Sequence, residues 1–323
     1  MAMRGLGIPY MGSKRKLAVD IIDFITRKQP EATTLYDIFG GGGAISFTAL
    51  QFPKFKNVIW NDIDPRLNAL MSYILEAKKH KAEHPELYKL NQVYEDKFYE
   101  WVSREDFFKN RLREDWYGGY VQVVWSFGNK GTTYLFGKDI EETKRLGHNL
   151  AVYGRESDMA AMHKAHIPIP NKVLQYKQLH HRRKFISGWC KRNMVRTDLQ
   201  RLQQLERLQQ LEQLQQLQQL QQLEQLQQLE QRGVKYEDID PKMFKTGDVV
   251  YLDPPYEDTT KYINNISHKH LYQWIDEIEV PVYLSSYKSP MKPVMALNHR
   301  TTLKGGSSLD DSKRLEWLYY NGK

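Results

Sequence analysis

The chain has a single cysteine, Cys190, among 323 residues. That excludes an intramolecular disulfide framework and any zinc site built on cysteine. The histidines fall at no ligand spacing, so no metal site is expected. No run of eighteen apolar residues occurs, and a membrane-spanning helix is therefore not expected. The first twenty residues carry Arg4, Lys14, Arg15 and Lys16 without a sustained apolar stretch. They do not read as a secretory leader, and a cytoplasmic location is expected. A more local absence is of acid: from Met159 to Thr197 there is no Asp or Glu. The same stretch holds nine bases, Lys164, Lys172, Lys177, Arg182, Arg183, Lys184, Lys191, Arg192 and Arg196, with Tyr176, Phe185 and Trp189 among them. With a net charge of +8 and a pI near 9.2, this favours a polyanionic partner. Phosphate neutralisation by Arg182, Arg183, Lys184, Lys191 and Arg192 would supply sequence-independent affinity for DNA. The competing reading is a basic helix face turned to solvent.

What is present begins with Asp253-Pro254-Pro255-Tyr256, preceded by the apolar run Val249-Val250-Tyr251-Leu252. The run predicts a short buried strand, and two prolines stop it because neither can donate to a ladder. A carboxylate, a rigid turn and an aromatic ring therefore stand at the carboxyl end of a strand, where open α/β sheets bind ligands. The Asp253 side chain and the Pro254 carbonyl can accept from an exocyclic NH2 group, and the Tyr256 ring can stack on a flat base. An ordinary strand-to-loop exit would use the same prolines.

Two earlier segments favour the chemical reading. In Tyr36-Asp37-Ile38-Phe39-Gly40-Gly41-Gly42-Gly43-Ala44, a strand ends in Asp37, four glycines follow and a helical pattern starts. Glycines let the backbone turn sharply and approach a ligand. About twenty residues on, Val58-Ile59-Trp60-Asn61-Asp62-Ile63-Asp64 predicts a second strand ending in acids, the distance at which nucleotide-binding folds place a ribose-bonding carboxylate. Asp64 before Pro65 also suits a helix cap.

Tyr10-Met11-Gly12-Ser13-Lys14, the Asp37–Gly43 turn, Asn61-Asp62-Ile63-Asp64 and Asp253-Pro254-Pro255-Tyr256, in this order, resemble the Dam-type (D12 class, alpha-group) adenine-N6 DNA methyltransferases. The resemblance implies a Rossmann-like α/β catalytic domain using S-adenosyl-L-methionine, with a mainly helical target-recognition insertion and double-stranded DNA as partner. It places Tyr10, Lys14, Asp37, Phe39, Gly41, Gly43, Asp62 and Asp253 around the cofactor, and Asp253, Pro254, Pro255 and Tyr256 at the target amine. Ser126-Phe127-Gly128-Asn129 with Lys130 resembles a segment of phage and prophage members, which assigns Asn129 and Lys130 to DNA. Tyr236-Glu237-Asp238-Ile239 resembles the segment facing the cofactor adenine, through Asp238 or Glu237. Because N6 of a paired adenine is inaccessible, the base must be flipped out. Cytosine N4 or an adenine in RNA would use similar chemistry. A non-catalytic DNA-binding or assembly protein is the more distant alternative.

The expected catalytic domain comprises residues 1–80 and 233–323, with the recognition region at 81–197. Helices are predicted over Lys14–Lys28, Gly43–Leu50, Pro65–His80 and Glu86–Tyr117, with most aromatic rings of the last packed in a core. Gly118-Gly119 is expected to open a less regular stretch to about Pro170. Strands are predicted at Leu35–Ile38, Val58–Asn61, Val249–Leu252 and Val282–Ser285, and Arg300–Lys304 is expected to pair with Glu316–Asn321. Between the domains, leucine recurs at every third position from Leu202 to Leu229, ten times. No Gly or Pro interrupts residues 198–232, which predicts a long Leu/Gln-repeat helix of about 35 residues and roughly 50 Å. Each leucine is displaced by about 60° from the last, so no heptad seam forms. A protruding helix, a self-association device and a partly disordered expansion all remain open for this tract.

Overall fold

The computed structural model describes residues 3–10, 12–83, 99–193, 209–221, 223–256, 266–297 and 315–323. The chain divides into two compact units, Met1–Lys78 with Leu220–Lys323, and Lys79–Gln219. The first is mixed α/β, built on one seven-stranded sheet. Its strands are β1 (Thr34–Asp37), β2 (Asn57–Asn61), β3 (Leu229–Arg232), β4 (Asp248–Leu252), β5 (Val282–Ser286), β6 (Lys292–Leu297) and β7 (Glu316–Tyr320). The apolar runs of β1, β2, β4 and β5 are buried almost throughout, as strands covered on both faces must be.

The sheet order is β3-β2-β1-β4-β5-β7-β6. β3, β2, β1, β4 and β5 pair in parallel, and β7 runs antiparallel to both neighbours. β1 pairs with β2 on one side and β4 on the other, so the winding direction reverses there. This is the topological switch point at which such sheets open a crevice beyond their carboxyl ends. Asp37 is in register with both Trp60 and Tyr251, which sets the turns after β1, β2 and β4 side by side. One face is covered by the helix His268–Glu277, whose Leu271, Trp274 and Ile275 pack with Ile38, Ile59, Val250, Leu252 and Leu284. Ser267 caps that helix by accepting from the His270 amide.

The second unit is helical, with Arg104–Asn110, Trp116–Val124, Glu141–Val152, Glu156–Lys164 and Leu179–Asn193 as its main elements. Gly118-Gly119 lies inside a helix rather than opening an irregular stretch. Asp115 caps that helix at the Gly118 amide, and a Cβ at residue 118 would sit 2.0 Å from the Arg113 carbonyl oxygen. Close approach, not irregularity, explains the glycine. Of the helix expected over Glu86–Tyr117, residues 86–98 lie outside the described residues. The rest is broken twice, at Glu100–Ser103 before a helix capped by Ser103 and at Arg111–Asp115 before one capped by Asp115. Phe107, Tyr120, Trp125 and Tyr134 are core residues, whereas Phe108 is exposed.

The Leu/Gln tract is not one continuous helix. Residues 198–208 lie outside the described residues. Gln209–Gln221 is α-helical, Glu224–Gln228 is a 3-10 turn and Leu229–Arg232 is β3, paired in parallel with β2. The period of the leucines accounts for the break. Leu211, Leu214, Leu217 and Leu220 are all buried; at 300° per step they span half of the helix circumference, and further leucines would emerge on the other side. A 3-10 turn repeats every three residues, so Leu226 and Leu229 stay buried once the winding tightens. The terminal pairing also differs from expectation. The partner of β7 is Lys292–Leu297, and Arg300–Lys304 lies outside the described residues.

Candidate active site

The switch point gathers residues from four parts of the first unit. The β1 turn is held by three main-chain bonds: the Gly40 amide donates to the Asn61 carbonyl (2.8 Å), the Ile8 amide to the Gly42 carbonyl (2.7 Å) and the Gly43 amide to the Gly40 carbonyl (2.7 Å). Gly41 and Gly43 have φ of 47° and 68°, the left-handed region open to glycine. A Cβ on Gly41 would lie 3.0 Å from the Tyr10 ring, and one on Gly42 2.3 Å from the Ile8 carbonyl oxygen. The turn is thus folded tightly against the segment leading to Lys14.

Each carboxylate at the strand ends has a different environment. Asp37 is fully enclosed and its Oδ2 accepts from the Ser46 hydroxyl (2.7 Å) and amide (3.3 Å). Burial pushes its carboxyl up to about 7, against those bonds. Asp62 accepts the Gly41 amide on Oδ2 (2.8 Å) and the Asp64 amide on Oδ1 (2.9 Å), and burial pushes it up to about 6. Asp64 receives the Arg66 amide (3.0 Å) at the start of the helix Pro65–Glu83, which is the capping role foreseen for it. Asn61 clamps the next segment: its Nδ2 donates to the Ile38 and Val234 carbonyls and its Oδ1 accepts the Val234 amide. The clamp leaves the Tyr236 ring 5.5 Å from that of Phe39, while Glu237 and Asp238 on the following turn are exposed.

At Asp253 four side chains meet. The Lys14 ammonium lies 2.9 Å from Asp253 Oδ1 and 3.0 Å from Glu316 Oε1, and donates to the Tyr256 hydroxyl at 2.7 Å. The Tyr256 hydroxyl is 2.6 Å from Glu316 Oε1 and 3.2 Å from Asp253 Oδ1. Burial pulls the Lys14 ammonium down, but the facing Asp253 and Glu316 carboxylates outweigh it and hold its pKa above the ordinary lysine value. Burial raises the Asp253 carboxyl, with Lys14 opposing and Glu316 adding to the rise. The Tyr256 phenol is raised by burial and by both carboxylates, so it remains a hydrogen-bond donor. Lys14 and Tyr256 both engage Oδ1 of Asp253; Oδ2 has no hydrogen-bond partner among the described residues. Below the cluster, the His268 ring lies 2.9 Å from the Pro255 carbonyl oxygen and the Tyr287 ring meets Tyr256 edge-on at 4.7 Å.

Residues 10–121 match the family model of the D12 class N6 adenine-specific DNA methyltransferases. Over these residues the chain is similar to adenine-specific DNA methyltransferases. It takes in Tyr10, Lys14, Asp37, the glycine turn and Asp62, and it ends before Asp253. A comparison of the whole chain with curated proteins gives no match.

The first unit brings Tyr10, Lys14, Phe39, Gly41, Gly43, Asp62, Asp253 and Tyr256 to one end of one sheet. Glu316 was missed: it follows no motif, and only the pairing of β7 beside β5 carries it to Lys14. Among the expected DNA contacts, Lys130, Lys184, Lys191 and Arg192 are exposed. Arg182 is corrected to a structural role. It is 7% exposed, and its guanidinium donates to the Ala151, Val152, Tyr176 and Lys177 carbonyls, leaving it turned inward from any phosphate. Arg183 pairs with Glu212 at 2.6 Å. Asn129, at φ 59°, donates its side-chain amide to the Val123 carbonyl. Arg196 and Met11 lie outside the described residues. Among the described residues no helix is long and apolar enough to cross a membrane.

Proposed function

We propose that this chain transfers a methyl group from S-adenosyl-L-methionine to N6 of a flipped-out adenine in duplex DNA. The observation that carries the reading is Oδ2 of Asp253, which has no hydrogen-bond partner among the described residues, beside an Oδ1 engaged by Lys14, at the switch point of the sheet. An adenine amine needs an acceptor there, and the Asp253 carboxylate with the Pro254 carbonyl supplies two. The glycine turn supports the cofactor assignment, because side chains at Gly41 or Gly42 would collide with Tyr10 or Ile8. Asp62 has lone pairs left for ribose hydroxyls after accepting two amides, and Phe39 with Tyr236 offers an aromatic wall beside the exposed Asp238. Tyr10, Lys14, Asp37, Phe39, Gly41, Gly43, Asp62, Asp238 and Asp253 are the proposed cofactor surroundings.

When bound, the cofactor supplies an electrophilic methyl group on a sulfonium. The residues of the chain supply orientation. Asp253 Oδ2 and the Pro254 carbonyl accept from the target amine and draw electron density towards its nitrogen. Lys14 holds the other oxygen of Asp253 in place, and the Tyr256 ring offers a face to the base. Positioning of two substrates is the main source of acceleration in such a transfer. The exposed bases Lys130, Lys184, Lys191 and Arg192 in the second unit contact phosphates in this reading, which makes that unit the target-recognition region.

The reading is tested with mixed plasmid DNA and labelled S-adenosylmethionine, followed by nucleoside chromatography of the product. N6-methyladenine is expected from the wild-type protein, and its loss by about three orders of magnitude in Asp253→Ala, with DNA binding retained. Near-normal turnover in Asp253→Ala would overturn the assignment of the amine acceptor. N4-methylcytosine as product would overturn the substrate.

A further inference from the structure

Glu316 enters the site from β7, outside every motif that points to the chemistry, and is 2% exposed. A buried carboxylate is costly unless it is bonded, and Glu316 bonds the two groups that also touch Asp253. The tyrosine hydroxyl has one proton and two carboxylates within reach. At 2.6 Å against 3.2 Å, the proton goes to Glu316 and the Asp253 contact is secondary. Lys14 is likewise shared, at 3.0 Å and 2.9 Å. A carboxylate that took both donors alone would be a poorer acceptor for a third, since each charge-assisted bond withdraws density from it.

We infer that Glu316 is a positioning residue for methyl transfer: it draws the Tyr256 proton and part of the Lys14 charge away from Asp253, which keeps Asp253 Oδ2 a strong acceptor for the target amine and fixes the tilt of the Tyr256 ring. The inference rests on the reading of Asp253 as amine acceptor. It assigns Glu316 no contact with either substrate, so its removal acts on the transfer step and not on binding. In Glu316→Gln, Lys14 turns to Asp253 as its one facing carboxylate of this cluster. The Asp253 titration then moves to lower pH, because a neighbouring negative charge has gone and the ammonium is no longer shared.

The experiment compares wild type, Glu316→Gln and Glu316→Asp in the full chain. Three quantities are read: the single-turnover methylation rate at saturating DNA and S-adenosylmethionine, the cofactor dissociation constant by calorimetry, and the Asp253 titration by carboxyl 13C NMR, assigned with Asp253→Asn. In Glu316→Gln the rate falls by about 10- to 100-fold, while the cofactor dissociation constant stays within about threefold and the Asp253 midpoint drops. Glu316→Asp keeps the charge and recovers most of the rate. A wild-type rate in Glu316→Gln overturns the inference, as does a slower rate with an unmoved Asp253 titration. Should Glu316→Gln fail to fold, Glu316→Asp decides by itself: a modest rate loss at unchanged cofactor affinity supports the inference, and full activity overturns it. A wild-type protein that methylates nothing would overturn the amine-acceptor reading, and the titration would still show whether Glu316 governs Asp253.

Discussion

Two buried polar regions of this chain follow opposite rules. At the carboxyl end of the sheet, Lys14, Asp253, Tyr256 and Glu316 are joined by contacts of 2.6 to 3.2 Å, and each group fixes the others. Along the helix Gln209–Gln221, the side-chain oxygens of Gln210, Gln213 and Gln216 are buried with no hydrogen-bond partner among the described residues. There the leucines pack the helix down, and the amide of Gln210 lies 3.4 Å from His148 Nδ1. Removing a member of the first region leaves charges stranded, whereas the second depends on volume. The polar residues of the site are thus expected to tolerate substitution less well than Gln213 and Gln216 of the repeat.

The largest break in the comparison is Lys14→Met. It leaves the Asp253 and Glu316 carboxylates facing one another inside the protein, a loss of about 3–5 kcal/mol, and methyl transfer should vanish. Urea unfolding checks the first part, and an unshifted midpoint would show that the cluster is not a unit. Leu211→Ala follows. The leucine is fully buried, and its truncation should cost about 2–5 kcal/mol with the DNA-independent cofactor affinity intact.

Asp37→Asn tests a titration. The Asp37 carboxyl is pushed up to about 7 in the folded protein from 3.8, so between those values the folded state holds a proton that the unfolded chain releases. Wild-type stability therefore has this contribution in full below about pH 4 and loses it as pH rises through 7. Melting temperatures from pH 4 to 8 should fall less steeply in Asp37→Asn, and parallel curves would show that Asp37 is not the group responsible. The smallest effect belongs to Gln213→Met. Replacing a buried amide whose oxygen has no partner among the described residues should shift stability by less than about 1 kcal/mol, in either direction. A loss of several kcal/mol there would erase the contrast between the two regions.

What could be read in the sequence divides along the same line. The strands β1, β2 and β4 announce themselves because each is a short apolar run closed by Gly, Asp or Pro, and motif order then places Asp37, Asp62 and Asp253 beside one another. Glu316 carries no such mark. Nothing local distinguishes it from other acids, and its meaning comes from an antiparallel strand laid against β5. Arg182 misleads for the converse reason: a basic run describes charge, while two of the carbonyls that capture this one guanidinium, those of Ala151 and Val152, come from a helix end distant in sequence. In the Leu/Gln tract, residue propensity correctly favours a helix over Gln209–Gln221. It cannot foresee that Leu229–Arg232 would be recruited by the open edge of β2, because a sheet edge selects backbone more than side chains.

The place of Glu316 on β7 also bears on how the enzyme comes into being. A ribosome delivers Lys14 early and β7 only after every other strand of the sheet. Until β7 emerges, the nascent chain has β5 with one edge unpaired, a surface open to mispairing with other chains, and a lysine lacking one of its two counter-charges. Translation that stops before Glu316 would therefore release a chain with every recognisable motif in place and an unfinished active site.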